Sequence, residues 1–578
     1  MAEKAVSDAL TTRFTYRKRV WLAGILLLCA VFYQVGRFDD WEWTIRSIPQ
    51  AYENSSMTCP QAAPLFPLIH QKLDEELDSL FQTASFKSNA YELLGGAIRI
   101  PSESYDDLLP VGEDPRWDVF KDLHGYLESS FPRVYTELKV TKVNTYGLIF
   151  HWQGSESQLK PILLAAHQDV VPVDASTVNQ WIYPPYSGHF DGTWIWGRGS
   201  ADDKADLISQ LITVNTLLEA GFKPRRTIVL AFGIDEEAAG TEGAGKLAVY
   251  LEETYGQDAF ALLLDEGEGY GENSDGGIIF ALPGISEKGY IDVKIEVLTP
   301  GGHSSVPPDH TSIGLLSMLI VEIEKHPHQP KFIRSGAGLP NALCTVAYGG
   351  DKFSPRVKSL ARWAMVDDRA LERFKNKLIK AEPFFGVLLK TTQAVDVIQG
   401  GVKVNALPEI ASVIINHRIA EHSSTSDVQE HLTKLVLPIA AEYNLSVNAF
   451  GRNVVDGAAG QVILSDGLYS ALEPSPVSPV QGAPYELLSG TIKSTLQSSS
   501  RYKAADVIST PSLGLGNTDT RFYWNLTRHI FRYSHRGDRD DLYNGLHTVN
   551  EAVRGESIIE QIRFFTKFIL NSDESEAI

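Results

Sequence analysis

The sequence predicts an α/β protein: a mostly parallel sheet flanked by helices, a smaller inserted α+β domain, and a single transmembrane helix ahead of both. Three observations carry this reading. From about residue 86, short apolar runs alternate with stretches of helical period. In Asp203 to Gly221, for example, Leu207, Ile208, Leu211, Ile212, Leu217 and Leu218 make one stripe. Near Gly289 the pattern changes to strict alternation, Tyr290-Ile291-Asp292-Val293-Lys294-Ile295-Glu296-Val297, the mark of a half-exposed antiparallel strand. Close to the amino terminus, the seventeen residues from Val20 to Gly36 hold no charge.

Arg13, Arg17, Lys18 and Arg19 precede that uncharged run, and Asp39, Asp40 and Glu42 follow it. The positive-inside rule then makes residues 1–19 a cytosolic tail and 20–36 a transmembrane anchor, with the rest across the membrane. The run is at the short end of the roughly 17–25 residues a span needs, so a cleaved signal peptide is the rival. No small-x-small cleavage site follows Ala30, which favours an uncleaved anchor and a single-pass type II protein. The triplets beginning at Asn54, Asn444 and Asn525 fit N-glycosylation of a lumenal body. Residues 37–85, punctuated by Pro49, Pro60, Pro64 and Pro67, read as a stalk or wrapping segment. Residues 86–286 are expected to form the first part of the sheet domain, which carries the candidate catalytic residues. Residues 287–452 then form the inserted α+β lid domain, and 453–578 return to the sheet.

A chain of 578 residues exceeds one ordinary core, and its net charge of −20 argues against a nucleic-acid surface, which needs clustered Lys and Arg. Of three cysteines, Cys29 lies in the apolar run, which leaves Cys59 and Cys344 as the one pair that could bridge; the sequence leaves open whether they do.

In an open parallel sheet, ligands gather beyond the carboxyl ends of strands. The chemistry-bearing residues fall there. His167 and Asp169 follow Ile162-Leu163-Leu164-Ala165-Ala166, Glu236 and Glu237 follow the run from Thr227 to Asp235, and Asp265 ends Ala261-Leu262-Leu263-Leu264. Asp202 closes Gly197-Arg198-Gly199-Ser200-Ala201, where two glycines allow a turn that thrusts it inward. Its plain reading is an N-cap; its functional one is a carboxylate whose two oxygens bridge two cations. In His167-Gln168-Asp169, a carboxylate is at hand for the ring proton opposite a metal-binding nitrogen. Adjacent glutamates repel unless a cation or shared proton compensates. A division of roles resolves this: Glu237 binds metal, and Glu236 takes a proton from the attacking water. A late His547 completes a set of oxygen and imidazole ligands suited to paired zinc-like ions. The run Gly240 to Lys246 fits a phosphate loop, but Leu247 stands where the magnesium-binding hydroxyl belongs, and no His-Glu-x-x-His occurs.

Together these motifs resemble the co-catalytic dinuclear zinc peptidase family that includes glutamate carboxypeptidase and aminoacylase-1, over about residues 86–575. The resemblance implies two zinc ions, one on His167, Asp202 and Asp265, the other on Asp202, Glu237 and His547. It implies Glu236 as general acid/base and Asp169 as the partner that orients His167. It makes His303, in Pro300-Gly301-Gly302-His303-Ser304-Ser305, an oxyanion stabiliser. It makes Arg418, in Asn416-His417-Arg418, the grip on a substrate carboxylate, with Asn405 of Val404-Asn405-Ala406 a polar neighbour of that grip.

The expected function is hydrolysis of the amide bond of short Gly-Xaa-type or N-blocked peptides with a free carboxylate end, by metal-bound hydroxide and a glutamate base. An N-fatty-acyl amino-acid hydrolase/synthase or an aminoacylase is the alternative, since pocket width is not legible in sequence. A non-catalytic membrane receptor on a peptidase fold is the remote one. The resemblance also implies a vacuolar lumen and leaves open a homodimer through the inserted domain. The partners are then a small peptide or N-acyl amino acid and the membrane, with no nucleic acid.

Overall fold

The computed structural model describes residues 58–272, 277–469, 471–502 and 505–578. The tail, the anchor, the triplet at Asn54 and the first part of the stalk lie outside the described residues. Among the described residues, no helix is long and apolar enough to cross a membrane.

Two helices, α1 (Gln71–Phe81) and α2 (Ala84–Ile98), precede the large sheet. Its strands are β1 (Lys139–Val143), β2 (Gly147–Trp152), β3 (Ile162–His167), β4 (Ile228–Gly233), β5 (Leu262–Asp265) and β6 (Gly284–Glu287), with β13 (Ser512–Gly514) and β14 (Ile530–Arg532) returning late in the chain. Their order is β1-β2-β4-β3-β5-β14-β6-β13. The central four, β4, β3, β5 and β14, run parallel, and antiparallel pairings lie toward the edges. Every residue of β3 and β4 is buried, because helices cover both faces. On one face Leu163, Ala165, Val229 and Leu263 meet Leu247 and Leu251 of α4 (Ala244–Tyr255). The other is covered by α3 (Lys204–Glu219), against which α8 (Gly555–Glu574) packs, with α7 (Ala483–Ser498) beside it.

α8 is buried from Ser557 to Asp573, so its polar groups must find partners inside the protein. Arg563 pairs with Glu560 at 2.6 Å and with Asp78 of α1 at 3.1 Å, and Lys567 donates to Asp74 of α1 at 2.6 Å. Leu77 and Phe81 of α1 are buried with them. The end of the segment read as a stalk or wrapping segment therefore packs on the sheet domain.

The second sheet comprises β7 (Gly289–Leu298), β8 (Thr392–Gly400), β9 (Ile410–Ile419), β10 (Leu445–Ala449), β11 (Arg452–Val455) and β12 (Gly460–Asp466), in the order β8-β9-β7-β12-β10-β11. The apolar alternates Ile291, Val293, Ile295 and Val297 of β7 face Leu315 and Leu319 of α5 (Ser312–Lys325) and Leu432 and Val436 of α6 (Thr425–Glu442). The sequence reading ends this domain near residue 452, whereas β12 carries it to Asp466. Only Val462 and Leu464 of β12 are buried, too short an alternation to stand out.

Between α5 and β8, four more helices (Gly338–Tyr348, Pro355–Ala364, Asp368–Ala381 and Phe384–Leu388) form an insertion that reaches the edge of the large sheet. Asn341 donates to the Pro511 carbonyl at 2.9 Å, and Lys288 to the carbonyls of Val387 and Lys390, both at 2.7 Å. Cys59 and Cys344 are joined by a disulfide in an apolar cluster with Ile508, which ties the segment before α1 to this insertion.

Candidate metal centre and substrate clamp

His167 is the last residue of β3, so its ring leaves the sheet at the carboxyl end. Fully buried Asp169 accepts from His167 Nδ1 at 3.2 Å, from Ser104 Oγ at 2.6 Å, and from the backbone N–H groups of Glu236 and Glu237, both at 3.2 Å. With Nδ1 donating, Nε2 carries the lone pair that a metal needs. Nε2 stands 3.1 Å from Asp202 Oδ1 and 3.6 Å from Glu266 Oε1.

Asp202 hangs from the turn at 197–201, where Gly197 (φ 144°) and Gly199 (φ 80°) adopt backbone conformations that side chains disfavour. A Cβ on Gly199 would also meet Val170 at 2.4 Å. Buried Glu551 fastens this turn, accepting from the N–H groups of Gly199 (3.0 Å) and Ala201 (3.2 Å) and from the Arg198 guanidinium. The other oxygen of Asp202 lies 3.0 Å from His547 Nε2, which is also 3.0 Å from Glu237 Oε1. Three groups of donors lie within 4.8 Å of one another: Asp202, Glu237 and His547; His167, Glu236 and Glu237; His167, Asp203 and Glu266.

Asp265, named as a ligand from the sequence, stands outside these groups, and Glu266 stands in one. Both acids stand at the end of β5 and compete for the ion on His167. β3 and β5 pair Leu164 with Leu264, so Asp265 falls beside Ala165. That is two residues, roughly 6–7 Å, short of His167. Its Oδ2 is buried without a partner. Glu266, one step past the strand end and one methylene longer, brings Oε1 to 3.6 Å from His167 Nε2.

Among the described residues, no Lys or Arg pairs with Asp202, Glu236, Glu237 or Glu266. Burial and the neighbouring Glu266 push Glu236 well above the usual carboxylate range, and burial with Asp202 raises Glu237. Burial opposes a charge on His167, yet Glu266, Asp169 and Asp202 hold its ring proton to well above the ordinary pKa. Hydrogen bonds to Asp202 and Glu237 push His547 up to about 10. Burial works against the Asp202 charge, but the two imidazoles outweigh it and pull this carboxyl down. Protons here occupy the seats of cations, so the donor set fits divalent metal.

Arg418, on β9, lies 4.8 Å over the Tyr290 ring and donates to Asn517 Oδ1 at 3.3 Å, turned toward the sheet domain. A guanidinium has five donors, so most remain for a carboxylate. Sequence reasoning missed Ser104 and Glu551, each of which acts through a partner remote in the chain. A two-residue ladder, Gly302–His303 against Ala406–Leu407, brings His303 near Asn405, whose carbonyl accepts from Ser304 N–H at 3.2 Å. Both side chains are exposed, and His303 Nδ1 bonds Ser305 Oγ at 2.7 Å rather than the acidic cluster.

A sheet whose carboxyl end gathers imidazoles and carboxylates, with an arginine offered from a second domain, defines a metal-dependent hydrolase. Comparison with known proteins makes this particular: the family model for Peptidase family M20/M25/M40 matches residues 163–571, and the chain belongs to that family of metallopeptidases. The chain is 38% identical to carboxypeptidase S of Saccharomyces cerevisiae over 524 residues, 90% of this chain and 89% of that protein. It is 30% identical over 490 residues to N-fatty-acyl-amino acid synthase/hydrolase PM20D1 of Mus musculus, covering 83% of this chain and 87% of that one. In fold it is similar to human carnosine dipeptidase 1, with a TM-score of 0.57 at 14% identity over 88% of this chain and 100% of the other.

Proposed function

We propose that the chain is a two-zinc carboxypeptidase acting on short peptides, of Gly-Xaa or N-blocked type, with a free terminal carboxylate. One observation carries the reading: Asp202 turns one oxygen to His167 at 3.1 Å and the other to His547 at 3.0 Å, the posture of a carboxylate shared between two ions. His167 and Asp202, with Asp265 or its neighbour Glu266, would hold one ion, and Asp202, Glu237 and His547 the other; imidazoles with carboxylates favour zinc. Ions bound there supply polarisation of the scissile carbonyl and acidification of the attacking water.

The chain's own residues do the rest. Arg418 grips the terminal carboxylate, with Asn405 beside it. Asp169 keeps His167 in the binding tautomer. Glu236 takes a proton from the water and delivers it to the departing amine, a task suited to a carboxyl whose pKa is raised. His303 donates to the oxyanion when the inserted domain closes, or from a second copy.

Similarity to an N-fatty-acyl-amino acid synthase/hydrolase favours a second reading, with fatty-acyl amides of amino acids as substrates. One experiment tests both: hydrolysis of N-blocked Gly-Leu against N-oleoyl-leucine, with zinc measured in the same sample. Zinc-loaded protein that leaves blocked Gly-Leu intact overturns the first reading. The same proposal sets the body in a vacuolar lumen behind an anchor at 20–36, with exposed Asn444 and Asn525 as glycan sites.

A further inference from the structure

A cavity of about 450 Å³ lies between the insertion helices and the edge of the large sheet, a size that takes a small molecule. Phe280 from the sheet side and Phe353 and Phe384 from the insertion give it an aromatic wall. Glu272 and Arg539 stand exposed at its mouth, and beside them Glu268 has its carboxyl pushed up to about 7 by burial and by Asp538. Lys352 and Glu382, which also line it, satisfy each other at 2.6 Å. Arg539 and Glu272, by contrast, have no ion pair among the described residues. A purely apolar ligand would leave these charges idle, and a simple anion would meet two carboxylates. A zwitterion with an apolar side chain matches Arg539, the carboxylates and the aromatic wall together.

We propose that this cavity binds a free apolar α-amino acid. Arg539 takes its carboxylate, Glu268 or Glu272 its ammonium group, and the phenylalanines its side chain. Glu268 is two residues from Glu266, and the segment is held on both sides of it: Gly267 N–H donates to Ser534 Oγ and Gly269 N–H to Asp538 Oδ1, both at 3.2 Å. A ligand in the cavity therefore sits against the same short segment that carries Glu266 toward His167. The binding itself is independent of the peptidase reading. If that reading holds, the ligand is a reaction product, and the cavity lets it act back on the metal centre.

Titration calorimetry on the full chain carrying Arg418→Ala, which removes the carboxylate grip of the catalytic cleft, tests the proposal. L-phenylalanine should bind one saturable site. N-acetyl-L-phenylalanine and L-phenylalaninamide each lack one charge and should bind about tenfold more weakly. Thr345→Trp, on the helix lining the cavity, should abolish binding by filling the space. Arg539→Gln should weaken binding about tenfold and, lying at an exposed mouth, should leave the thermal melt of the protein unchanged. Absence of saturable binding overturns the proposal, as does equal binding of the amide or binding undiminished in Arg539→Gln. Failure here would leave hydrolysis of blocked Gly-Leu untouched, so it is distinct from failure of the peptidase reading.

Discussion

Replacing Glu266 and Asp265 one at a time separates the ligand from its neighbour. Donors bound to one tetrahedral zinc, each about 2 Å from the metal, stand about 3.3 Å apart. Glu266 Oε1 is already 3.6 Å from His167 Nε2, so a few tenths of an ångström complete the site. Asp265, beside Ala165 in the register, would have to climb roughly 6–7 Å, two strand residues. Glu266→Ala leaves one ion with only His167 and the shared Asp202. Loss of an outer partner alone weakens metal binding about 10–100-fold, so loss of a direct carboxylate should reach at least about 100-fold, near 2.7 kcal/mol. After dialysis at fixed free zinc, elemental mass spectrometry should find one zinc per chain in Glu266→Ala and two in Asp265→Asn. Hydrolysis by Glu266→Ala should recover as zinc is added. The reverse pattern, one zinc in Asp265→Asn and two in Glu266→Ala, would refute the register argument.

Glu236→Gln should retain both zinc ions while hydrolysis falls by about 10²–10⁴-fold; full activity would sink its role as proton carrier. Arg418→Ala should impair peptides with a free carboxyl end and spare their amides, so an equal response of both would remove Arg418 from the clamp. In the inserted domain, burial lowers His328 to about 3 and His417 to about 4, their rings 6.0 Å apart. The unfolded chain takes up these protons near pH 6.5, so stability rises with pH between about 4 and 6.5 and is lost as pH falls. His328→Gln should flatten the slope of Tm in that window, and an unchanged slope would count against the burial argument. Cys59→Ser opens a link across 285 residues and should lower stability by about 2–5 kcal/mol, read as a urea midpoint; an unmoved midpoint would refute it.

The parallel sheet is legible in the sequence because β3, β4 and β5 are apolar without interruption and end sharply in charged residues, which marks both the burial and the exit from the sheet. Which of two adjacent acids comes level with His167 is not legible, because it depends on the register between strands almost a hundred residues apart. The same limit hides Glu551: it accepts from Gly199 and Ala201, yet in sequence it is one glutamate ahead of the short strand Ala552–Arg554, with nothing nearby to pair it. The bridge from Cys59 to Cys344 is undecidable for a related reason, since spacing carries no information over so long a loop. The domain boundary past residue 452 is missed because β12 buries only Val462 and Leu464.

The crowding of acids around the Asp202 turn bears on how the fold holds together. Burial raises Asp203, Asp206 and Asp519, and moves Asp265 up to about 7. A carboxyl raised in the folded state keeps a proton that the unfolded chain has released, so each such group costs stability as pH climbs past about 4. A chain that places so many acids together at neutral pH needs positive charge from elsewhere. The guanidinium of Arg536 supplies part of it, donating to the Ala201 carbonyl at 2.9 Å while its charge faces Asp206, Asp202 and Asp203. The remaining demand falls on the donors of His167, Asp202, Glu237, Glu266 and His547. These come from the third strand, a glycine turn, two strand ends and a loop near the carboxyl terminus. A cation seated among them joins the first and last parts of the sheet domain across the whole insertion. Metal affinity at this centre is therefore also folding free energy, because the unfolded chain has no such site to offer.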